Sequence, residues 1–124
     1  MDVTIRRIEP KDERRWRELW DGYWRFYGRE PREAITQQTW SRILDPATPI
    51  FGIVAEVEDG EIVGIANCVV HVHTSTLAPI CYLADLFVDP ARRAGGAGKR
   101  LMDLAGCGDE DPGLGAVVLD YERG

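Results

Sequence analysis

The chain has few of the residues that announce a scaffold or a metal centre: three cysteines, two methionines and two histidines among 124 residues. Cys68, Cys81 and Cys107 form an odd set with no Cys-x-x-Cys pair, which excludes a disulfide framework or a structural zinc site and leaves reduced thiols. His71 and His73 have the spacing of one strand face, but no third ligand accompanies them, so no metal is expected; they read as strand-edge or substrate-side histidines. The apolar runs are only a few residues long, whereas a membrane-spanning helix needs about 20. Met1-Asp2 opens with neither a basic nor an apolar stretch, so no leader is read there and a cytoplasmic protein is expected.

The composition, 44% hydrophobic and 29% charged, is that of one soluble globular domain without contact to a membrane. A net charge of -6 argues against nucleic acid as a partner and favours cationic ones. The charge is unevenly spread. Residues 51–90 contain no Lys or Arg and six Asp or Glu, and residues 101–124 contain one and six. Between them Arg92, Arg93, Lys99 and Arg100 form a single concentrated positive spot.

Periodicity orders the rest. Val3 to Ile8 reads as a short strand, closed by the helix-opening pair Glu9-Pro10. From Lys11 to about Tyr27, Trp16, Leu19, Trp20, Tyr23, Trp24 and Tyr27 recur at helical spacing and predict an amphipathic helix with an aromatic face, ended by Gly28. This face reads as core. A second helix starts near Pro31, buries Ile35, Trp40, Ile43 and Leu44, and stops at Asp45-Pro46. The period then falls to two. Ile50 to Glu58 and Glu61 to about His73 form an antiparallel hairpin about Asp59-Gly60, and Cys81 to Val88 is a third strand of that series.

After Asp89-Pro90 comes Ala91-Arg92-Arg93-Ala94-Gly95-Gly96-Ala97-Gly98-Lys99-Arg100, then Leu101, Met102, Leu104 and Ala105 at helical spacing. A glycine-rich turn between strand and helix bares backbone N–H groups at the positive end of the helix, a natural place for an anion. Two readings stay open, a plain turn with solvated arginines or a phosphate cradle. A Walker A loop would need Gly at Arg93 and Ser or Thr at Arg100. A dinucleotide fingerprint starting at Gly96 would need Gly at Leu101. Both nucleotide motifs fail.

The segment from Tyr82 to Met102 resembles motif A of the GCN5-related N-acetyltransferase (GNAT) family. Its Arg/Gln-x-x-Gly-x-Gly/Ala signature falls on Arg93, Gly96 and Gly98, behind the lead-in Asp85-Leu86-Phe87-Val88-Asp89-Pro90. The order of elements before it is also similar. The resemblance implies an α/β fold of acyl-CoA N-acyltransferase type, a mainly antiparallel sheet flanked by helices. It implies acetyl-CoA as acyl donor and a primary amine, such as a small amine, a polyamine or a basic protein tail, as acceptor. Main-chain groups of Leu86, Phe87 and Val88 would then run beside the pantetheine arm by strand addition. The turn of Ala94, Gly95, Gly96, Ala97, Gly98 and Lys99 would hold the pyrophosphate, with Arg93 and Lys99 adding charge. Family members acting on small amines commonly carry a Glu-Asp pair where this chain has Ala84 and Asp85. Asp85 is therefore the candidate catalytic residue, read either as a proton acceptor or as a structural strand carboxylate. A noncatalytic acyl-CoA-binding module, or an inactive remnant, is the rival.

The resemblance runs from residue 3 to about 103, giving an N-acetyltransferase domain over 1–103 and an atypical tail over 104–124. In the family the motif A helix runs on, followed by a second motif with an Asn and a Tyr; here glycines and Pro112 follow, and Tyr121 stands in another context. Codons can be chosen for residues 104–123 that, shifted by one nucleotide, spell an amphipathic helix, a glycine stop and an aromatic strand. A displaced reading frame is thus one account of the tail. The other is a short variant in which Gly115 to Leu119 adds a strand. Either leaves a sheet edge for a second copy to cover, as in a homodimer. Sequencing the gene across the codons for Asp103 and Leu104 is expected to reveal a downstream frame encoding that helix and the second motif; a gene without one assigns the tail to the protein as written.

Overall fold

The computed structural model describes residues 3–75, 77–105 and 118–119. Strand β1 (Val3–Arg7) leads through a short 3₁₀ turn (Pro10–Asp12) into helix α1 (Glu13–Phe26), followed by helix α2 (Glu33–Leu44). Strands β2 (Ile50–Val57), β3 (Ile62–His71) and β4 (Ile80–Val88) come next. A second 3₁₀ segment (Pro90–Gly95), helix α3 (Ala97–Ala105) and a two-residue strand β5 (Val118–Leu119) complete the described chain. The sheet order is β1-β2-β3-β4-β5, antiparallel up to β4 and parallel between β4 and β5.

Most expected elements are present, with instructive shifts. Glu9-Pro10 opens a 3₁₀ turn before the helix, because the side chains of Glu9 and Asp12 cap each other's backbone. Arg6 anchors that turn with two hydrogen bonds of 2.9 Å to the buried Asp12 carboxylate. Strand β3 ends at His71, so His73 lies beyond the strand and shares no face with His71. Among the described residues no group of three or more potential metal ligands occurs. No described helix is long and apolar enough to cross a membrane. Of the expected Gly115–Leu119 strand, Val118 and Leu119 pair with Tyr82 and Leu83; residues 106–117 and 120–124 lie outside the described set.

The two faces of the sheet have separate cores. On one, Trp16, Leu19, Trp20 and Tyr23 of α1 and Trp40 and Ile43 of α2 pack on Val54, Ile62, Ile65 and Phe87. The aromatic helical face is core as expected, and its rings stack at centroid separations of 5.1 Å (Trp16–Trp20) and 5.9 Å (Trp20–Tyr23). On the other face, Ala97 and Leu101 of α3 are fully buried against Val63, Ala66, Cys68, Leu83 and Val88. Cys68 and Cys81 are buried in this core.

Two bulges set the phase of the sheet. Ala55 pairs with Gly64 but Glu56 with Ile62, so Val63 is an extra residue in β3. Asn67 pairs with Asp85 but Cys68 with Leu83, so Ala84 is an extra residue in β4. Because side chains alternate along a strand, an inserted residue moves everything after it to the opposite face. Cys81 and Leu83 face α3; beyond the bulge Leu86 and Val88 face α3, while Phe87 joins the α1 core.

Helix α3 sits close to β3 at Gly64, where a Cβ would fall 2.9 Å from the Leu101 Cδ1 atom. Shortening that fully buried leucine by Leu101→Ala is expected to cost about 2–5 kcal/mol, read from urea unfolding. A loss below about 1 kcal/mol would mean that α3 is not seated as described.

Candidate active site

The residues singled out in motif A converge at one end of β4. Asp89 caps the 3₁₀ segment with its side chain: Ala91 N–H donates to Oδ1 at 3.0 Å. Its other oxygen takes a 2.8 Å hydrogen bond from Arg15 of α1. The Asp89 carboxyl is held below the usual range, first by the Ala91 N–H and then by Arg15. Arg15 also donates to the Ile62 carbonyl at 2.8 Å, Asp89 N–H donates to the carbonyl of the bulged Val63 at 2.8 Å, and Arg92 pairs with Glu61. The start of the turn is thereby fastened to α1 and to the β2–β3 hairpin.

The turn ends at Gly96, whose φ of +80° lies in the left-handed region that glycine tolerates best. A Cβ at Gly96 would meet nothing within 4 Å among the described residues. Arg100 N–H donates to the Gly96 carbonyl at 3.1 Å, which makes Gly96 the residue before the first turn of α3. The helix itself therefore offers no partner to the N–H groups of Ala97, Gly98 and Lys99. Gly95 precedes the bend and Gly98 lies beside Val88, where a Cβ would sit 3.5 Å from Val88 Cγ2. Arg93 and Ala94 lie in the 3₁₀ segment; their side chains are outside the described set. Lys99 is exposed and pairs with Asp103 at 3.0 Å, one turn along α3. Of the positive spot, then, Arg92 is tied to the hairpin and Lys99 to its own helix.

Leu86, Phe87 and Val88 lead into this turn. Among the described residues, the parallel ladder between β4 and β5 pairs Tyr82 with Val118 and Leu83 with Leu119. Phe87 is buried under α1, where Gly22 permits close approach: a Cβ there would fall 2.9 Å from the Phe87 ring.

Asp85 lies just past the Ala84 bulge and shares the α1 side with Phe87. Asn67, only 2% exposed, accepts a hydrogen bond from Trp16 Nε1 at 3.2 Å and donates through Nδ2 to Asp85 Oδ2 at 3.2 Å. The Tyr23 phenol neighbours the same carboxylate and favours its ionised form. Burial raises the Asp85 pKa above the usual carboxylate value, against the opposing effects of Asn67, Tyr23 and the charge of Arg29. Burial first and Asp85 second push the Tyr23 phenol upward, so it remains a donor at neutral pH. The result is a half-buried carboxylate, hydrogen-bonded by Asn67 and neighboured by the Tyr23 phenol, with enhanced proton affinity. Neither Asn67 nor the donor role of Tyr23 was evident in the sequence; the one available signal was a polar residue at a core-facing strand position.

Backbone donors at a helix N-terminus suit an anion, and a carboxylate of raised proton affinity suits a protic group. Residues 14–105 match the Acetyltransferase (GNAT) family. The chain belongs to that family. A D-amino-acid N-acetyltransferase of Saccharomyces cerevisiae is 29% identical over 122 residues, covering 96% of this chain and 76% of its own length. Among solved structures, an aminoglycoside N-acetyltransferase in complex with CoA superposes with a TM-score of 0.73 at 20% identity, covering 96% of this chain and 76% of its own. An aminoglycoside 6'-N-acetyltransferase from Acinetobacter baumannii gives 0.71 at 15% identity, with coverage of 96% and 79%. At such identities the structural likeness establishes the shared fold, which is the mainly antiparallel α/β arrangement expected from motif A.

The Asn67 hydrogen bond favours the ionised form of Asp85, so removing it moves the Asp85 pKa further up. Asn67→Leu is expected to raise the midpoint of the Asp85 carboxyl titration followed by NMR. It also leaves the buried Trp16 N–H without an acceptor, at a stability cost of about 1–3 kcal/mol. An unchanged or lowered midpoint would refute the described network.

Proposed function

We propose that this chain transfers the acetyl group of acetyl-CoA to the nitrogen of a primary amine. The observation that carries the reading is the open left-handed bend at Gly96, ahead of the nine-residue helix α3. A diphosphate fits N–H groups at a helix N-terminus, and a bend without Cβ atoms lets it approach. In this reading Ala94 to Lys99 hold the pyrophosphate, with Arg93 and Lys99 adding charge, and the main chain of Leu86, Phe87 and Val88 accompanies the pantetheine arm. Acetyl-CoA supplies an activated thioester carbonyl, so the protein needs no metal for this transfer.

The chain's own contribution lies at Asp85. An amine arrives at neutral pH as an ammonium and must lose a proton before it attacks. A carboxylate with raised proton affinity, in its ionised form, both attracts the ammonium and accepts its proton, directly or through water. Asn67 and Tyr23 orient that carboxylate, with the Tyr23 phenol kept protonated. The named relatives act on D-amino acids and on aminoglycosides, both amine-bearing, which supports an amine acceptor without choosing among amines. This reading takes residues 1–103 as the working body and 104–124 as an atypical tail, within a cytoplasmic enzyme.

The test combines calorimetry of acetyl-CoA binding with release of free thiol in the presence of a panel of amines. Gly96→Glu places bulk and negative charge at the diphosphate position, and binding is expected to be lost. Gly96→Ala carries the backbone strain of a left-handed residue without the charge, and is expected to bind more weakly than the parent but measurably. Unchanged affinity in a folded Gly96→Glu protein overturns the donor-site assignment. Binding without thiol release from any amine would leave the chain an acyl-CoA-binding module.

A further inference from the structure

A ring of four charged residues closes at the entry of the glycine-rich turn. Arg92 Nη2 donates to Glu61 Oε1, and the other oxygen of Glu61 lies 3.8 Å from Arg15 Nη2. Arg15 Nη2 donates to Asp89 Oδ2 at 2.8 Å, and the Asp89 carbonyl accepts from the Arg92 backbone N–H at 2.8 Å. The ring joins helix α1, the β2–β3 hairpin, the end of β4 and the 3₁₀ segment. Its two guanidinium charges balance its two carboxylates.

Two observations tie this ring to whatever anion occupies the turn. The first is place. Gly98, in the first turn of α3, lies against Val88, where a Cβ would be 3.5 Å from Val88 Cγ2, and Asp89 is the next residue in the chain. Asp89 therefore stands at the end of α3 where a diphosphate would lie, and charges act on one another over roughly 10 Å at 0.1 M salt. The second is that the carboxylate is held there. Its Oδ1 accepts from the Ala91 N–H at 3.0 Å, and the Asp89 N–H donates to the Val63 carbonyl at 2.8 Å. A fixed carboxylate beside an anion site opposes binding unless a cation balances it. Arg92 spends its Nη2 on Glu61, and Arg15 is the side chain that hydrogen-bonds the Asp89 carboxylate.

Resting on the acetyl-CoA reading of the turn, we propose that Arg15 is a positioning residue for the donor that acts through Asp89: it holds the capping carboxylate in place and cancels a charge that would repel the diphosphate, on the evidence of the closed ring Arg92–Glu61–Arg15–Asp89. Arg15 stands 74 residues before Asp89, on a different element from the turn, and supports the anion without touching it.

The experiment measures CoA binding by calorimetry at about 50 mM and about 500 mM NaCl, with the fold of each variant checked by circular dichroism. Arg15→Gln is expected to bind CoA about tenfold more weakly than the parent at the lower salt, and the gap to narrow to about threefold or less at the higher. Adding Asp89→Asn to that variant removes the unbalanced carboxylate while keeping an oxygen for the Ala91 N–H, and is expected to restore affinity to within about threefold of the parent. A loss caused by weakened structural support alone would persist in salt and would not be recovered by the second change. Parental affinity in folded Arg15→Gln, or a deficit that neither salt nor Asp89→Asn reduces, overturns the proposal and leaves the donor reading standing. A parent that binds no CoA overturns the donor reading and the proposal with it. Should Arg15→Gln not fold, Asp89→Asn alone decides: with Arg15 left as an unbalanced cation, it is expected to bind CoA about threefold more tightly than the parent at the lower salt, and unchanged or weaker binding overturns the proposal.

Discussion

One extra residue in β4 decides what the two faces of the sheet can do. Without Ala84 the alternation begun at Cys81 and Leu83 would carry Asp85 and Phe87 into the apolar core under α3. A carboxylate there would have no polar partner, and burying it ionised would cost several kcal/mol. With Ala84 inserted, Asp85 turns toward α1, where Asn67 and Tyr23 receive it, and Leu86 and Val88 fill the space beneath α3. The same shift seats Phe87 beneath Gly22 of α1. The placement of the Asp85 carboxylate and the seating of the glycine-rich turn are consequences of one irregularity.

Charge around the donor turn has a division of labour that the linear pattern conceals. Arg92, Arg93, Lys99 and Arg100 look alike as a cluster in the chain. In three dimensions Arg92 answers Glu61, and Lys99 answers Asp103. In the proposed reading, recognition of an anion depends chiefly on backbone N–H groups at the start of α3, whose directions are set by the fold and need no side-chain ordering. Overall negative charge and a local anion site are compatible, because interactions between exposed charges are screened beyond roughly 10 Å at 0.1 M salt.

What could be read from the chain was whatever repeats or turns sharply. The aromatic helical face from Trp16 to Tyr27 advertises α1, Asp59-Gly60 the hairpin, and the glycines after Asp89-Pro90 the donor turn. These features are local, so sequence order suffices to find them. The β4 bulge was not legible: Ala84 is neither a turn former nor a β-breaker, and its effect appears only against the register of β3. Asn67 looked like one polar residue in a run of Ile, Val and Cys, and its partners Trp16 and Asp85 are 51 and 18 residues away. His71 and His73 erred in the opposite direction. Their spacing mimicked a strand face, but β3 stops at the first of them.

A single side chain joins the layers on which the donor turn depends. Arg15 rises from α1, grips the Ile62 carbonyl beside the β3 bulge, meets Glu18 on its own helix and holds the Asp89 cap. Only a planar fork can bond in these three directions at once, whereas an ammonium group of equal charge has no such fixed geometry. The position thus behaves as a rivet rather than as a charge. Its geometric demand makes arginine-to-lysine exchange, so often neutral on a protein surface, a lesion that loosens helix, hairpin and cap together.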